Sequence, residues 1–183
     1  MKDKIKFLIT WASGIAIILF LIIYFWLTRI FSFIGFLDAL SYSISVTSLI
    51  FILFESCLWK FCYRIHKEPL IFGKYTGVIK YSHQYGENKT KDIEVSIEQS
   101  YLFSRVYLKT NEISSSSLTS SIVNENGESV LYYTYITNPK DKYSESNPIN
   151  RGTARLVINN KGLEGGYWTN RKTTGDIILN KIS

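Results

Sequence analysis

The sequence predicts two transmembrane helices followed by an all-β domain, a closed antiparallel barrel of about eight strands that is lipocalin-like in shape. Three observations predict this architecture. Two long apolar stretches lie within the first 59 of the 183 residues. Beyond them, short segments of alternating polarity are separated by Gly, Asn, Ser and Pro. No amphipathic helical pattern interrupts these segments, and evenly spaced short strands are typical of a barrel or sandwich.

The first helix is predicted at about 7–27, a run without a single charged residue. At ~1.5 Å per residue it is long enough to cross a hydrocarbon core of roughly 30 Å. Lys2, Lys4 and Lys6 in front of it resemble the start of a secretory signal peptide. The run is too long for one, however, and it ends in aromatic residues instead of a small-residue cleavage site. We therefore expect a retained helix with an interfacial aromatic belt.

The second helix is predicted at about 36–59 and completes a helical hairpin over 1–59. It carries Asp38 near one end, Glu55 near the other, and a middle rich in Ser and Thr. Small hydroxyl residues in membrane helices usually mark helix–helix contacts. Asp38 and Glu55 can simply reach the two membrane interfaces. A functional alternative is that Glu55 or the hydroxyl stripe lines an oligomer interface or a pore.

The basic residues are concentrated beside the two helices. Residues 1–67 contain seven Lys and Arg against three Asp and Glu, whereas 68–183 contain fourteen against twelve. The positive-inside rule then places both termini and the barrel in the cytoplasm, with the hairpin in a lipid bilayer. The sequon at 88–90 is then a chance match. The nearly balanced second half does not predict binding of a DNA or RNA duplex.

Residues 60–70 are predicted to form a juxtamembrane linker that ends at Pro69, and 71–183 to form the ligand-binding barrel. Eight antiparallel strands can close into a barrel just wide enough to hold a small ligand. In the first strand, alternation directs Tyr75 and Tyr81 inward, and in the second strand it directs Ile93 inward. The eight strands are expected at about 73–82, 90–99, 102–110, 114–123, 129–137, 151–159, 162–170 and 175–182.

The fourth and fifth strands carry polar side chains on both faces. Residues 111–121 hold seven Ser and Thr, which fits either a solvated edge or flexible loop, or a polar patch that hydrogen-bonds a ligand at the barrel mouth. Residues 130–137 place tyrosine on both faces, so we expect at least one tyrosine set to be accessible. The polar loop that follows, 138–150, is either a ligand gate or an unordered spacer.

Neither a catalytic site nor a metal site is predicted. His66 and His83 have no second histidine or acidic partner at ligand spacing. Cys57 and Cys62 form no CxxC pair, and their spacing does not favour a structural disulfide. The sequence contains no nucleophile elbow, P-loop or dinucleotide fingerprint. We therefore expect a binding protein without a cofactor, not an enzyme.

Residues 162–175 form the densest cluster of glycine, aromatic and hydroxyl side chains, and they include a guanidinium. Alone, the segment fits a Gly-rich hairpin, but it also suits a planar, phosphate-bearing ligand. If Leu163 is buried, alternation directs Tyr167, Thr169 and Arg171 inward. A bulge at Gly165–Gly166 would instead bury Trp168 and expose Tyr167. Arg151 and the fifth-strand tyrosines Tyr133 and Tyr135 are candidates for a second clamp.

The sequence resembles the CBASS antiphage effectors that join two transmembrane helices to a β-strand-rich domain. The resemblance covers nearly the whole chain. Besides the membrane hairpin and the barrel-length remainder, it is carried by the segments 133–139, 151–156, 163–171 and 174–175. Where that family often has His before Gly-Thr, this chain has Arg151.

The resemblance implies a cytosolic receptor for a cyclic dinucleotide made by a phage-activated nucleotidyltransferase. Ligand binding would make the barrels form homo-oligomers, which gathers the hairpins and breaches the bacterial inner membrane in abortive infection. The ligand contacts it implies are Tyr133, Tyr135, Arg151, Tyr167, Thr169 and Arg171.

Two other functions remain open from the residues alone. The first is a membrane-tethered, lipocalin-like carrier or sensor of a hydrophobic small molecule, which predicts that Arg171→Ala is tolerated. The second is a structural membrane protein whose barrel only scaffolds partners.

Overall fold

The structure is a computed structural model and describes residues 2–27, 32–61, 68–82 and 89–182. It divides into two units, Met1–His66 with Ser100–Leu102, and Lys67–Gln99 with Phe103–Ser183. The predictions for Cys62, His66, His83 and the sequon residue Asn88 lie outside the described residues.

The helical unit contains α1, Lys2–Leu27, and α2, Phe33–Ser56. Both are long and apolar enough to span a membrane, over Lys4–Trp26 and Phe33–Ser56. The second helix begins earlier than predicted because Ser32 caps it, accepting a hydrogen bond from the Gly35 N–H at 3.5 Å.

The two helices pack through small residues. Ala39, Ser43 and Thr47 are the buried residues of α2, spaced by four, so they share one face that permits close approach to α1. Asp38 is exposed and Glu55 is half-buried. Three other serines of α2 each donate to a carbonyl four residues back, at 2.7–2.8 Å, which satisfies them within the helix; they are Ser45, Ser48 and Ser56.

Eight strands close into one antiparallel barrel, in which each strand pairs with the next and β8 returns to β1. The predicted fold class is confirmed. The strands are β1 Gly73–Ser82, β2 Lys89–Gln99, β3 Ser104–Lys109, β4 Ile113–Glu125, β5 Glu128–Pro139, β6 Asn150–Ile158, β7 Gly162–Thr169 and β8 Thr174–Lys181.

The barrel is filled by side chains of alternating parity. In β2, Ile93, Val95 and Ile97 are each 3% exposed, whereas the residues between them are exposed. Burying such side chains supplies the main driving force for closing the barrel. Its core also includes Tyr75, Val106, Leu108, Leu131, Ala154, Leu156, Leu163, Ile177 and Leu179.

The serine-rich segment is a paired barrel strand, not a flexible loop. β4 pairs with β5 along almost its whole length, with an irregularity between Ser117 and Thr119. Ser117 Oγ accepts a hydrogen bond from the Val106 N–H at 2.9 Å. Thr119 and Thr134 share a hydrogen bond of 2.7 Å between their hydroxyls. These hydroxyls therefore support the sheet around the irregularity.

Candidate functional site

One end of the barrel encloses a cavity of about 340 Å³. This volume lies within the range of small-molecule sites, roughly 300–1,000 Å³. β1, β3, β5 and β7 end at this cavity, and β2, β4, β6 and β8 begin there. The lining residues are Ile79, Tyr81, Lys91, Leu108, Thr110, Glu112, Ile113, Ser115, Tyr133, Tyr135, Thr137, Ser146, Asn147, Asn150, Tyr167, Thr169, Arg171, Thr173 and Ile177.

Three buried tyrosines form the aromatic part of the cavity. Tyr133 and Tyr135 point inward from β5, with ring centroids 5.8 Å apart, and Tyr167 points inward from β7. Burial raises the pKa of Tyr133 and Tyr135 above the usual tyrosine range. Burial, with smaller contributions from Tyr81 and Asp176, raises the pKa of Tyr167 to about 12. All three hydroxyls therefore stay protonated at cellular pH and can donate hydrogen bonds.

Two glycines make room for two of these rings. A Cβ atom at Gly152 would lie 2.5 Å from Cζ of Tyr135. A Cβ atom at Gly175 would lie 2.8 Å from Cε1 of Tyr167 and 2.1 Å from the Lys80 carbonyl oxygen. Only glycine fits at such distances, so the cross-strand glycines determine where the rings lie.

The charged groups of the cavity are two cations and one carboxylate. Lys91 points inward from β2, and its Nζ lies 2.5 Å from Oε2 of Glu112 and 5.5 Å from the ring centroid of Tyr81. Burial lowers the pKa of Lys91, but the hydrogen bond to Glu112 and the charge interaction with the Tyr81 hydroxyl together raise it by more. The net pKa of Lys91 therefore lies above its ordinary value. Arg171 is exposed and makes no hydrogen bond or ion pair within the described ranges. The cavity therefore favours an anion.

Arg171 lies in a tight turn between β7 and β8. The Thr169 N–H donates to the Thr173 carbonyl at 3.0 Å, and the Thr173 N–H donates to the Thr169 hydroxyl at 3.2 Å. Lys172, inside the turn, has a φ of 58°. The threonine pair closes the turn and presents Arg171 at the cavity.

Of the seven residues predicted as ligand contacts, five line this cavity and two do not. Strands β6–β7 and β7–β8 stay in register through Gly165 and Gly166, so the alternative bulge is not formed. Tyr167 is therefore buried, and Trp168 is 47% exposed on the outer face. Arg151 is also exposed outside, because the inward parity of β6 belongs to Ala154 and Leu156. The five that line the cavity are Tyr133, Tyr135, Tyr167, Thr169 and Arg171.

The structure adds cavity residues that the sequence analysis did not name. Lys91 has the inward parity of Ile93 and Val95, so alternation could have identified it. Glu112 lies in the β3–β4 connection, where no periodicity predicts direction. Asn150 is the first residue of β6, one position before the predicted start of that strand.

Comparisons with known proteins agree with this architecture. The family model described as "Cap15, cyclic dinucleotide receptor domain" matches residues 66–181. The chain is 40% identical over 184 aligned positions, and over the full length of both proteins, to CD-NTase-associated protein 15 of Staphylococcus schleiferi. The chain therefore belongs to the Cap15 family of CBASS-associated proteins, which join apolar N-terminal helices to a cyclic dinucleotide receptor domain.

Proposed function

We propose that this chain is a membrane-anchored antiphage effector whose barrel binds a cyclic dinucleotide in the cavity, oligomerises and disrupts the bacterial inner membrane. The observation that carries the proposal is the cavity itself. It combines three buried tyrosines with two cations at one end of a barrel that matches a cyclic dinucleotide receptor domain. The proposed role is binding, not catalysis.

The lining groups complement both parts of such a ligand. Two phosphates require cations in a partly desolvated site, and Lys91 and Arg171 supply them. Two bases require stacking partners or apolar walls, which the tyrosine rings, Ile113 and Ile177 supply. The protonated tyrosine hydroxyls add neutral donors that can reach phosphate oxygens without repelling them.

The proposed effector step links binding to the membrane through proximity. Helices without strong mutual affinity stay dispersed until the barrels that carry them associate. Joining modules in one chain raises their effective concentration without any new membrane contact. In this proposal both termini and the barrel are cytoplasmic, where a nucleotidyltransferase would release the ligand, and the infected cell dies when the bilayer is breached.

Ligand binding can be tested with the full-length protein in lipid nanodiscs, by calorimetric titration with cyclic di-AMP, cyclic di-GMP, cyclic GMP–AMP and cyclic UMP–AMP. We expect at least one to bind, and Arg171→Ala to weaken it by about 10- to 150-fold, because hydrogen bonds to charged groups contribute roughly 1.5–3 kcal/mol. The matched control is Arg105→Ala, which changes an exposed arginine of β3 outside the cavity.

Two results would contradict this part of the proposal. If no cyclic dinucleotide binds while circular dichroism shows an intact barrel, the receptor function is wrong. If Arg171→Ala binds as tightly as the unmodified chain, Arg171 does not hold a phosphate. The first result would favour a carrier of a hydrophobic molecule instead.

The membrane step needs a separate readout. Liposomes that contain the full-length protein and an entrapped dye should release the dye when the bound cyclic dinucleotide is added, and crosslinking should show larger oligomers. Arg171→Ala should release less dye at the same ligand concentration. Binding without oligomers or release would leave the receptor function intact and refute the effector step.

A further inference from the structure

One buried polar group in the cavity lacks a partner. Asn150 is 9% exposed, and its Oδ1 is buried without any hydrogen bond among the residues that the structure describes. Its backbone is fully engaged with Thr137, whose hydroxyl accepts from the Asn150 N–H at 2.9 Å and donates to the Asn150 carbonyl at 3.2 Å. The backbone bonds therefore fix the side-chain carboxamide at the cavity, where its oxygen has no hydrogen-bond partner in the described part of the chain.

An unused buried carboxamide is unusual. Buried polar side-chain atoms nearly always have a hydrogen-bond partner, and leaving one without a partner destabilises the fold. The inward parity of β6 places Asn150 on the same face as Ala154 and Leu156, so the group cannot turn to the outer surface without breaking the strand pattern. A ligand in the cavity can supply the missing partner.

The chemistry of a carboxamide indicates which part of a ligand it contacts. A phosphate only accepts hydrogen bonds, so it would leave the buried oxygen unpaired. A nucleobase edge presents a donor beside an acceptor, as adenine does with N6–H and N7, and asparagine pairs with such an edge through two hydrogen bonds. Two such hydrogen bonds can form with either assignment of the amide oxygen and nitrogen. The reason is that the carboxamide and the base edge each present one donor beside one acceptor. Lys91 and Arg171 already provide for phosphates.

We infer that Asn150 is a specificity-determining residue that hydrogen-bonds the edge of one nucleobase of the bound cyclic dinucleotide. This inference rests on the proposed function. The neighbouring Tyr135 lies two positions before Thr137, the register partner of Asn150, and on the same inward face of β5. A base packed against the tyrosines would therefore have its edge within the part of the cavity that Asn150 lines.

The test compares base preference in two variants of the full-length protein in nanodiscs, with the four cyclic dinucleotides named above as probes. Asn150→Leu keeps the size of the side chain and removes both polar atoms. We expect it to weaken the preferred ligand by about 5- to 150-fold and to reduce its advantage over the next ligand. Asn150→Asp keeps the shape but only accepts, so it should shift relative affinity towards guanine, whose N1–H and N2–H both donate.

A matched control and a stability measurement separate recognition from folding. Asn180→Leu changes an exposed asparagine of β8 and should alter neither affinity nor preference. A purely structural Asn150 would lower the melting temperature and weaken all four ligands equally. Unchanged ratios among the ligands in both Asn150 variants overturn the inference while leaving the receptor function in place. Failure of the unmodified protein to bind any of the four overturns both.

Discussion

The outer and inner faces of strands β4, β5 and β6 carry similar polar residues, but these residues differ in whether they have hydrogen-bond partners within the protein. On the outer face, the Tyr132 hydroxyl donates to Oε1 of Glu125 at 2.6 Å, and Nη2 of Arg155 donates to Oε2 of Glu125 at 2.7 Å. Nε of Arg155 also donates to the Tyr132 hydroxyl at 3.0 Å. Each residue of this outer cluster, Glu125–Tyr132–Arg155, is hydrogen-bonded to the other two.

Among the residues that the structure describes, the cavity face leaves several groups of the same types without a partner. Tyr133 and Tyr135 follow Tyr132 on the same strand, yet their hydroxyls make no hydrogen bond in the described part of the chain. Arg171, in the β7–β8 turn at the same cavity, has no carboxylate partner in that part of the chain, and Asn150 of β6 has an unpaired oxygen. Residue type alone therefore does not identify a site. Groups whose hydrogen bonds are used within the fold support it, and groups left unused are available to a ligand.

The substitution predicted to disturb the cavity most is Gly152→Ala. The new Cβ would lie 2.5 Å from the Tyr135 ring and 2.8 Å from the Trp168 carbonyl oxygen, so the ring must move. We expect overpacking to cost about 1–3 kcal/mol of the free energy of unfolding. Loss of one base-stacking ring should weaken the cyclic dinucleotide by about 5- to 150-fold.

Denaturant unfolding and calorimetric titration of the full-length variant would measure the two effects. Gly166→Ala is the matched control, because its Cβ would meet nothing closer than 3.7 Å. If Gly152→Ala is destabilised but binds normally, Tyr135 is a core residue and not a ligand contact.

The second prediction concerns the one cavity cation that is already paired. Glu112→Gln removes the carboxylate 2.5 Å from Lys91, so a phosphate no longer competes with Glu112 for the Lys91 ammonium group. Lys91 and Glu112 are each about one-third exposed, and such pairs contribute roughly 0.2–1 kcal/mol. We therefore expect ligand affinity to rise by up to about fivefold.

Titration at low and high salt would measure this effect. The gain should shrink at high salt, because salt screens partly exposed charges. Glu94→Gln, on the outward face of β2, is the control and should change nothing. A fall in affinity would show that Glu112 itself accepts a hydrogen bond from the ligand.

Most of the fold could be predicted from the sequence because apolar inward-facing and polar outward-facing residues alternate along a barrel strand. The alternation of Ile93, Val95 and Ile97 identified both a strand and its inner face. The same rule predicts that Tyr167 points inward if Leu163 is buried, and the continuous register through the glycine pair agrees with it.

The parts of the site that could not be predicted depend on contacts between distant segments. Glycine is needed at positions 152 and 175 because a tyrosine ring from the neighbouring strand, β5 or β7, occupies the space that a Cβ atom would take. Neighbouring strands are known only from the folded structure. Glu112 meets Lys91 across the barrel mouth, 21 positions away in sequence. Strand ends are the least certain feature of a sequence pattern, and Asn150 lies one residue before the predicted start of β6, so the pattern assigns it to the preceding loop.

The smallest expected effect comes from breaking the outer cluster with Arg155→Met. Binding of the cyclic dinucleotide should be unchanged, because none of the three residues lines the cavity. Stability should fall slightly at neutral pH and less at low pH. The hydrogen bonds from Tyr132 and Arg155 hold the pKa of Glu125 below its usual range, so their stabilisation is present above the unfolded pKa and is lost as pH falls through the folded one. Melting temperatures of both proteins at pH 7 and pH 3 would measure this, and weakened ligand binding by Arg155→Met would show that the two faces of the sheet are coupled.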